Sequence, residues 1–340
     1  MSIFLPAEWA PQAAVQLTWP HADGDFGPML DEAHDQFVRL AVAIAEATPL
    51  LVVVPDRPEA RREELLARGV AAERLRMVML PSNDVWARDH GPITVWQDDG
   101  ARHLDFRFDG WGGKFDARLD NALTARLADQ GLLPGPTAPV DWVLEGGSIE
   151  SDGAGTILTT ERCLLDTARN PGATQENVEA MLRHQLGAQR VLWLAHGDLL
   201  GDDTDGHIDT LARFCRRDCI AYQACDDPSD AHFETLGAMA DELSALRTAE
   251  GTPYTLIPLP LPAAAFDPDD GHRLPAGYAN FLISNALVLV PTYDDPADAI
   301  ALARLQAAFP EHRVRGVDCR TLIRQHGSLH CVTMQIPSQP

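Results

Sequence analysis

Four polar clusters interrupt otherwise apolar, strand-like segments and supply a nucleophile, a base and paired carboxylates. Cys331 closes the run Gln325-His326-Gly327-Ser328-Leu329-His330, and an inert core thiol needs no such polar approach. Asp202, Asp203, Asp205, His207 and Asp209 crowd residues 196–210. Read as an extended segment, that stretch puts His207 and Asp209 on one face, a base and an acid toward one ligand. Asp84, Arg88 and Asp89 precede the turn formers Gly91 and Pro92, where a carboxylate is fixed at the start of a strand or an Arg88 salt bridge to Asp84 or Asp89 stabilises the turn. Glu145 precedes Gly146 and Gly147, which leave no side chain to crowd it.

Carboxylates beside a nucleophilic cysteine raise its pKa above the ordinary value of about 8.5 and disfavour the thiolate. The combination makes chemical sense when the substrate is a cation. Two carboxylates grip the N–H fork of a guanidinium, whose charge then favours the thiolate that attacks its carbon. A divalent-metal reading of Asp205, His207 and Asp209 stays open beside it. Neither the His-Glu-x-x-His helix signature nor a calcium-loop pattern is present, however.

The chain sets 50 acidic against 27 basic residues, a formal net charge of -23, and Lys114 is its only lysine. Such a surface repels nucleic acid and anionic lipid and draws small cations. No leader pattern opens the sequence and no apolar run reaches about 18 residues, so a cytoplasmic protein is expected. Cys215 and Cys219 flank the charged turn Arg216-Arg217-Asp218, which favours reduced thiols over structural zinc or disulfides.

The residues with chemical potential are spread over a recurring alternation of short strands and amphipathic helices. Strand signals fall at 50–55, 76–80, 93–96, 103–108, 156–160 and 190–194, then in TLARFC, CIAY, YTLIPL, NFLISNALVLVPTY and HCVTMQI. On that reading Cys331 opens the last strand, with Thr333 and Gln335 on its face. Helices are expected at 30–47, 59–68, 118–130, 174–186, 230–247 and 296–308. No linker divides the chain, so one α/β catalytic domain over 1–340 is expected, and the even spacing suits a pseudo-repeated fold although no exact repeat is visible. The Pro- and Gly-rich stretch 258–277 either covers or borders the site, or is a surface excursion.

The segments LPAEWAPQAAVQLTWPH, NDVWARDHGP, FDGWGGK, LEGGSIESDGAGTILTTERCLL, DDTDGHIDT, YANFLISNALVLVPTYDD and HCVTMQIP run from about residue 5 to 337. In this order they resemble the agmatine deiminase and bacterial peptidylarginine deiminase family, the pentein or guanidine-modifying enzymes, and the agmatine deiminase branch most closely. The resemblance implies a five-bladed α/β propeller of pseudo-fivefold ββαβ-type repeats with its site in the central channel. It matches Cys331 to the nucleophile, His207 to the general acid and base, Asp89 and Asp209 to the guanidinium clamp, and Glu145 to the acid behind the histidine. Trp86 and Trp111 match channel-lining aromatics, and Asp203 an acid near a distal amine. Arg88 and Arg324 are the candidates for meeting a substrate carboxylate.

The implied activity is hydrolysis of agmatine to N-carbamoylputrescine and ammonia, a step of putrescine and polyamine metabolism, with neither metal nor organic cofactor. A small guanidinium cation is the expected partner, with no nucleic acid or membrane, and a homodimer is reasonable. Peptidylarginine, free arginine or another guanidine, amidino transfer to an amine, a metal-dependent hydrolase and a non-catalytic guanidinium-binding module are the alternatives. The chain departs from the family pattern at the cysteine: Gly327-Ser328-Leu329-His330 replaces Gly-Gly-Asn-x-His, and Met334 stands before Gln335.

Overall fold

The computed structural model describes residues 3–98 and 100–339. Its strands form five separate sheets. Leu50–Val54 shows why they form: it is apolar and buried at every position, as a strand with parallel neighbours on both edges must be. It lies between Gln12–Thr18 and Leu75–Met79, and Thr333–Pro337 pairs antiparallel with the outer side of Gln12–Thr18.

The other sheets repeat one pattern, an antiparallel pair followed through a helix by a parallel strand. Ile93–Gln97 pairs with Gly100–Arg107 and then, beyond Leu123–Asp129, comes Thr137–Val143. Ile149–Ser151 and Thr156–Thr160 precede the helix Gln175–Leu186 and the strand Arg190–Leu194. Ala212–Arg216 and Cys219–Gln223 lead through Phe233–Ala245 to Thr255–Leu259. Leu282–Ser284 and Leu287–Thr292 lead through Ala297–Ala308 to Arg313–Asp318. The long helix Leu30–Ala45 fills the same place between Gln12–Thr18 and Leu50–Val54, burying Ala33, Phe37, Leu40, Ala41 and Ile44 at helical spacing.

Local chemistry sets the ends. Thr174 and Asn177 form a reciprocal capping box at the start of Gln175–Leu186, and Gly187, at φ 70°, closes it in the left-handed conformation. The expected 118–130 helix begins with the 3-10 turn Asp120–Ala122 and is helical only over Leu123–Asp129. The run 280–293 is a hairpin, turned at Asn285 with φ 50°.

Two expectations about the site segments are corrected. Residues 208–211 form a helical turn, Ile208–Leu211, before the strand starts at Ala212, so His207 and Asp209 do not share a strand face. Cys331 lies in a turn, and the last strand starts at Thr333. Residues 258–277 are largely irregular after the strand Thr255–Leu259. They are tied down where Arg273 donates to both oxygens of Asp230 (3.0 and 2.8 Å) and where the His272 ring stacks on His326, centroids 5.1 Å apart. Among the described residues no helix is long and apolar enough to cross a membrane.

Candidate active site

Each first strand of the five paired units is preceded by a short turn, and these turns carry the candidate site residues. Asp89 sits on Ala87–His90 ahead of Ile93–Gln97, and Glu145 immediately precedes Gly146–Ser148 ahead of Ile149–Ser151. His207 immediately precedes Ile208–Leu211, which holds Asp209. Asn280 precedes Leu282–Ser284, and Cys331 precedes Thr333–Pro337. The turns are laced together: Arg88 N donates to Cys331 O (3.1 Å), and Gly147 N donates to Asp89 Oδ1 (3.1 Å).

Gly147 marks where the polar side chains converge. A Cβ there would stand 2.6 Å from His207 Nδ1, 2.9 Å from Asp89 Oδ1 and 3.2 Å from Asp209 Oδ2. His207 Nδ1 lies 3.6 Å from Asp89 Oδ1, and Nε2 lies 4.0 Å from Glu145 Oε2. The Cys331 sulfur lies 3.8 Å from Asp209 Oδ2 and accepts from Asn280 Nδ2 at 3.3 Å. Glu145 is held by Arg169 Nε (2.8 Å), whose Nη1 also reaches Asp205 (2.7 Å).

These groups meet a cavity of about 250 Å³ walled by Trp86, Trp111, Phe115, Asp25, Asp89, Asp203, Thr204, Gln325, His326, Gly327 and Cys331. Its aromatic walls are set at a conformational cost. Trp111 adopts φ 58°, a left-handed state that costs a residue with a Cβ about 1–2 kcal/mol. The indole is retained there by a hydrogen bond from Nε1 to Asp89 Oδ2 (3.0 Å) and by edge-on contacts with Phe108 and Phe115. Trp86 donates to Asp84 Oδ2 (3.1 Å) and lies so close over Gly327 that a Cβ there would come within 2.1 Å of its ring.

Burial dominates the electrostatics. Burial, Asp209 and Asp89 push the Cys331 thiol well above its usual range. Burial, Asp209 and Glu145 push Asp89 well up, against the hydrogen bonds from Trp111 and Gly147. His207 is driven down to about 3, burial outweighing the pull of Asp209. Glu145 is raised by burial despite Arg169. Burial also raises Asp203, opposed by His326 and Lys114. Burial thus opposes the charged forms of Cys331, Asp89, Glu145 and His207, and a cation placed among them favours ionisation of the acids.

Cys331, Asp89, Trp86, Trp111 and Asp203 line the cavity, with His207, Asp209 and Glu145 buried beside them. Arg88 is not brought there. Its Nη2 faces Glu8 at 3.5 Å and its Nη1 lies 3.7 Å from the Met334 sulfur, in a separate cavity shared with Glu150. The turn salt bridge is also absent, since Asp84 accepts instead from Val85 N and Trp86 Nε1. Arg324 pairs with Glu32 at 3.3 Å.

The metal reading through Asp205 loses its ligand, because that carboxylate is held by Lys114 and Arg169, each at 2.7 Å. Two buried groups, Glu145-Cys163-His207 and Glu8-Glu150-His330, have ligand atoms close together. Their carboxylates already serve Arg169 and Arg213, which weakens both as cation cages. The six cysteines are all free thiols.

Sequence reasoning passed over Asn280, Arg169 and Glu8, and noted His330 only as the neighbour of Cys331. Asn280 had a usable signal: it occupies the turn before the first strand of its unit, as the other site residues do.

Residues 4–337 match the Porphyromonas-type peptidyl-arginine deiminase family. The agmatine deiminase of Pseudomonas putida is 36% identical over 98% of this chain and 95% of its own length. The agmatine deiminase of C. jejuni, solved with substrate bound, superposes with a TM-score of 0.91 at 34% identity, covering 99% of this chain and 96% of that one. A Porphyromonas gingivalis structure, provisionally called an arginine deiminase, gives 0.91 at 50% identity over 99% and 98% of the two chains. The profile match, the full-length relatives and the superposed folds together place this chain in the Porphyromonas-type peptidyl-arginine deiminase family, with agmatine deiminases among its full-length relatives.

Proposed function

We propose that the protein hydrolyses agmatine to N-carbamoylputrescine and ammonia, with Cys331 as nucleophile. The observation that carries the reading is the cavity itself: a thiol and a carboxylate face one space between two indoles, with Asp25 and Asp203 in the lining. Among the described residues no arginine lines it, so a distal ammonium is matched and a substrate carboxylate is not. The related enzymes of Pseudomonas putida and C. jejuni carry the agmatine deiminase name.

The guanidinium enters a site where burial favours the neutral forms of the Cys331 thiol and the Asp89 carboxyl. Its charge reverses that balance, so Asp89 yields its proton to solvent, Asp89 and Asp209 grip the nitrogens, and the Cys331 proton passes to His207. The thiolate attacks the guanidinium carbon. His207 returns the proton to the departing nitrogen, the C–N bond breaks, and ammonia leaves a cationic amidino thioether on Cys331. His207, oriented from behind by Glu145, then takes a proton from water as the water oxygen adds to the same carbon. Collapse of that adduct expels the Cys331 thiolate, which regains a proton, and releases the carbamoyl product. The recurring sheets support a five-bladed, pseudo-fivefold ββαβ propeller around this channel, within one catalytic domain over 1–340.

Ammonia release from agmatine, free arginine and a blocked peptidylarginine at equal concentration tests the assignment, with Cys331→Ala as control. Cys331-dependent turnover of agmatine alone is expected, with oxygen replacing one nitrogen in the product. Preferred turnover of either arginine substrate would overturn the substrate, and turnover only with an added amine acceptor would make the protein an amidinotransferase.

A further inference from the structure

We propose that His330, the residue just before the nucleophile, is a positioning residue that pins one oxygen of Asp209 so that the other is left for the guanidinium. The inference rests on the agmatine reading and deepens it. Both His330 ring nitrogens end on carboxylates: Nδ1 lies 2.7 Å from Asp209 Oδ2, and Nε2 lies 2.7 Å from Glu8 Oε2. The ring is buried, and its backbone is fixed on both sides. Its N–H donates to Asn280 Oδ1 (2.8 Å), and its carbonyl accepts from Thr333 N (3.0 Å) and Thr333 Oγ1 (2.9 Å).

The far end of the bridge is equally constrained. Glu8 accepts from Arg213 Nη2 (2.9 Å) through Oε2 and from Ile283 N (2.7 Å) through Oε1, and Arg88 Nη2 stands 3.5 Å away. Arg213 is tied in turn to Glu150 and to Phe281 O. A line of contacts therefore runs from two guanidinium groups through Glu8 and His330 to Asp209. Asp209 Oδ1, by contrast, is buried without a hydrogen-bond partner. A buried acceptor in that state carries a desolvation penalty that an incoming N–H relieves, so pinning Oδ2 commits Oδ1 to the substrate.

The alternative is that His330 merely satisfies buried charges, and side-chain geometry separates the two roles. In His330→Asn the amide nitrogen takes the place of Nδ1 and keeps the bond to Asp209. In His330→Gln it takes the place of Nε2 and keeps only the bond to Glu8. Steady-state kinetics on agmatine and thermal melts of the full chain are compared for both. The Asn variant is expected within about ten-fold of the parent kcat/KM, and the Gln variant to lose about a hundred-fold, mainly through KM, at similar melting temperatures. Equal activity losses that follow the melting temperatures would overturn the proposal.

Should both variants unfold, Glu8→Gln, which keeps an acceptor oxygen but removes the anchoring charge, is expected to raise KM with kcat little changed. An unchanged KM there would overturn the proposal too. Failure of the parent protein to turn over agmatine would remove the substrate reading alone. The Asn and Gln variants would then be compared, in a Cys331→Ala background, for affinity toward methylguanidinium, and equal affinities would overturn the bridge.

Discussion

Gly147 carries no functional group, yet the site closes around it. Its amide donates to Asp89, and the space where a methyl would project is held by His207, Asp89 and Asp209. A Cβ contact of 2.6 Å is shorter than packed atoms allow, and the atoms in the way are the buried side-chain atoms of the proposed base and clamp, so yielding to the methyl means displacing them. Gly147→Ala should therefore cut kcat/KM for agmatine by about a hundred-fold or more, because displacements near 1 Å are costly to catalysis. Circular dichroism should still show the parent fold. Activity within a few-fold of the parent would show that the convergence at Gly147 is not catalytic. The pair Gly146-Gly147 was readable as room left beside Glu145, just as Cys331, His207 and Asp89 were readable as polar groups breaking apolar runs. Glu8 was not, because its meaning lies in a bond to a residue 322 positions away. Arg88 misled for the converse reason: its closeness to Asp89 in sequence says nothing about a guanidinium that turns toward Glu8.

At the scale of elements, strands and longer helices were legible because apolar residues recur at their periods over enough positions. The one-turn helices that present Asp89 and Asp209 were not, since four residues are too few to show a helical period. Ala87–His90 is nonetheless buried at every position, and this has a consequence for acid stability. His90 packs against Phe108 with neither ring nitrogen hydrogen-bonded, and burial drives its pKa down to about 3. In the unfolded chain the same imidazole titrates near 6.5. The unfolded state therefore binds more protons between those values, so His90 contributes stability at neutral pH that is lost as pH falls from about 6.5 toward 3. His207, likewise lowered to about 3, acts in the same direction. His90→Leu should flatten this decline, recovering roughly 2–4 kcal/mol of the stability lost between neutral and acid pH. Urea unfolding at a series of pH values measures the slope, which a uniform packing change does not alter. A slope equal to that of the parent would mean that His90 is already protonated in the fold.

Across the whole molecule, repetition resides in strand pairing rather than in residues. Five sheets share an antiparallel pair and a parallel crossover strand, while their sequences share no exact repeat, so the propeller reading rested on resemblance and not on periodicity. Charge, by contrast, was plain from the sequence and belongs to the molecule as a whole. The net charge of -23 surrounds a cavity with Asp25 and Asp203 in its lining. Agmatine carries a guanidinium and an ammonium, so it experiences that field twice. The field extends about 30 Å at 0.01 M salt and about 8 Å at 0.15 M. Raising sodium chloride between these concentrations should lower kcat/KM for agmatine several-fold through KM, leaving kcat nearly constant because the chemical step occurs where salt does not reach. N-acetylagmatine, with the ammonium removed, should lose less over the same range. Equal salt dependence for the two compounds would show that the distal charge is not felt from outside, and a fall in kcat would place the effect of salt on the reacting groups themselves.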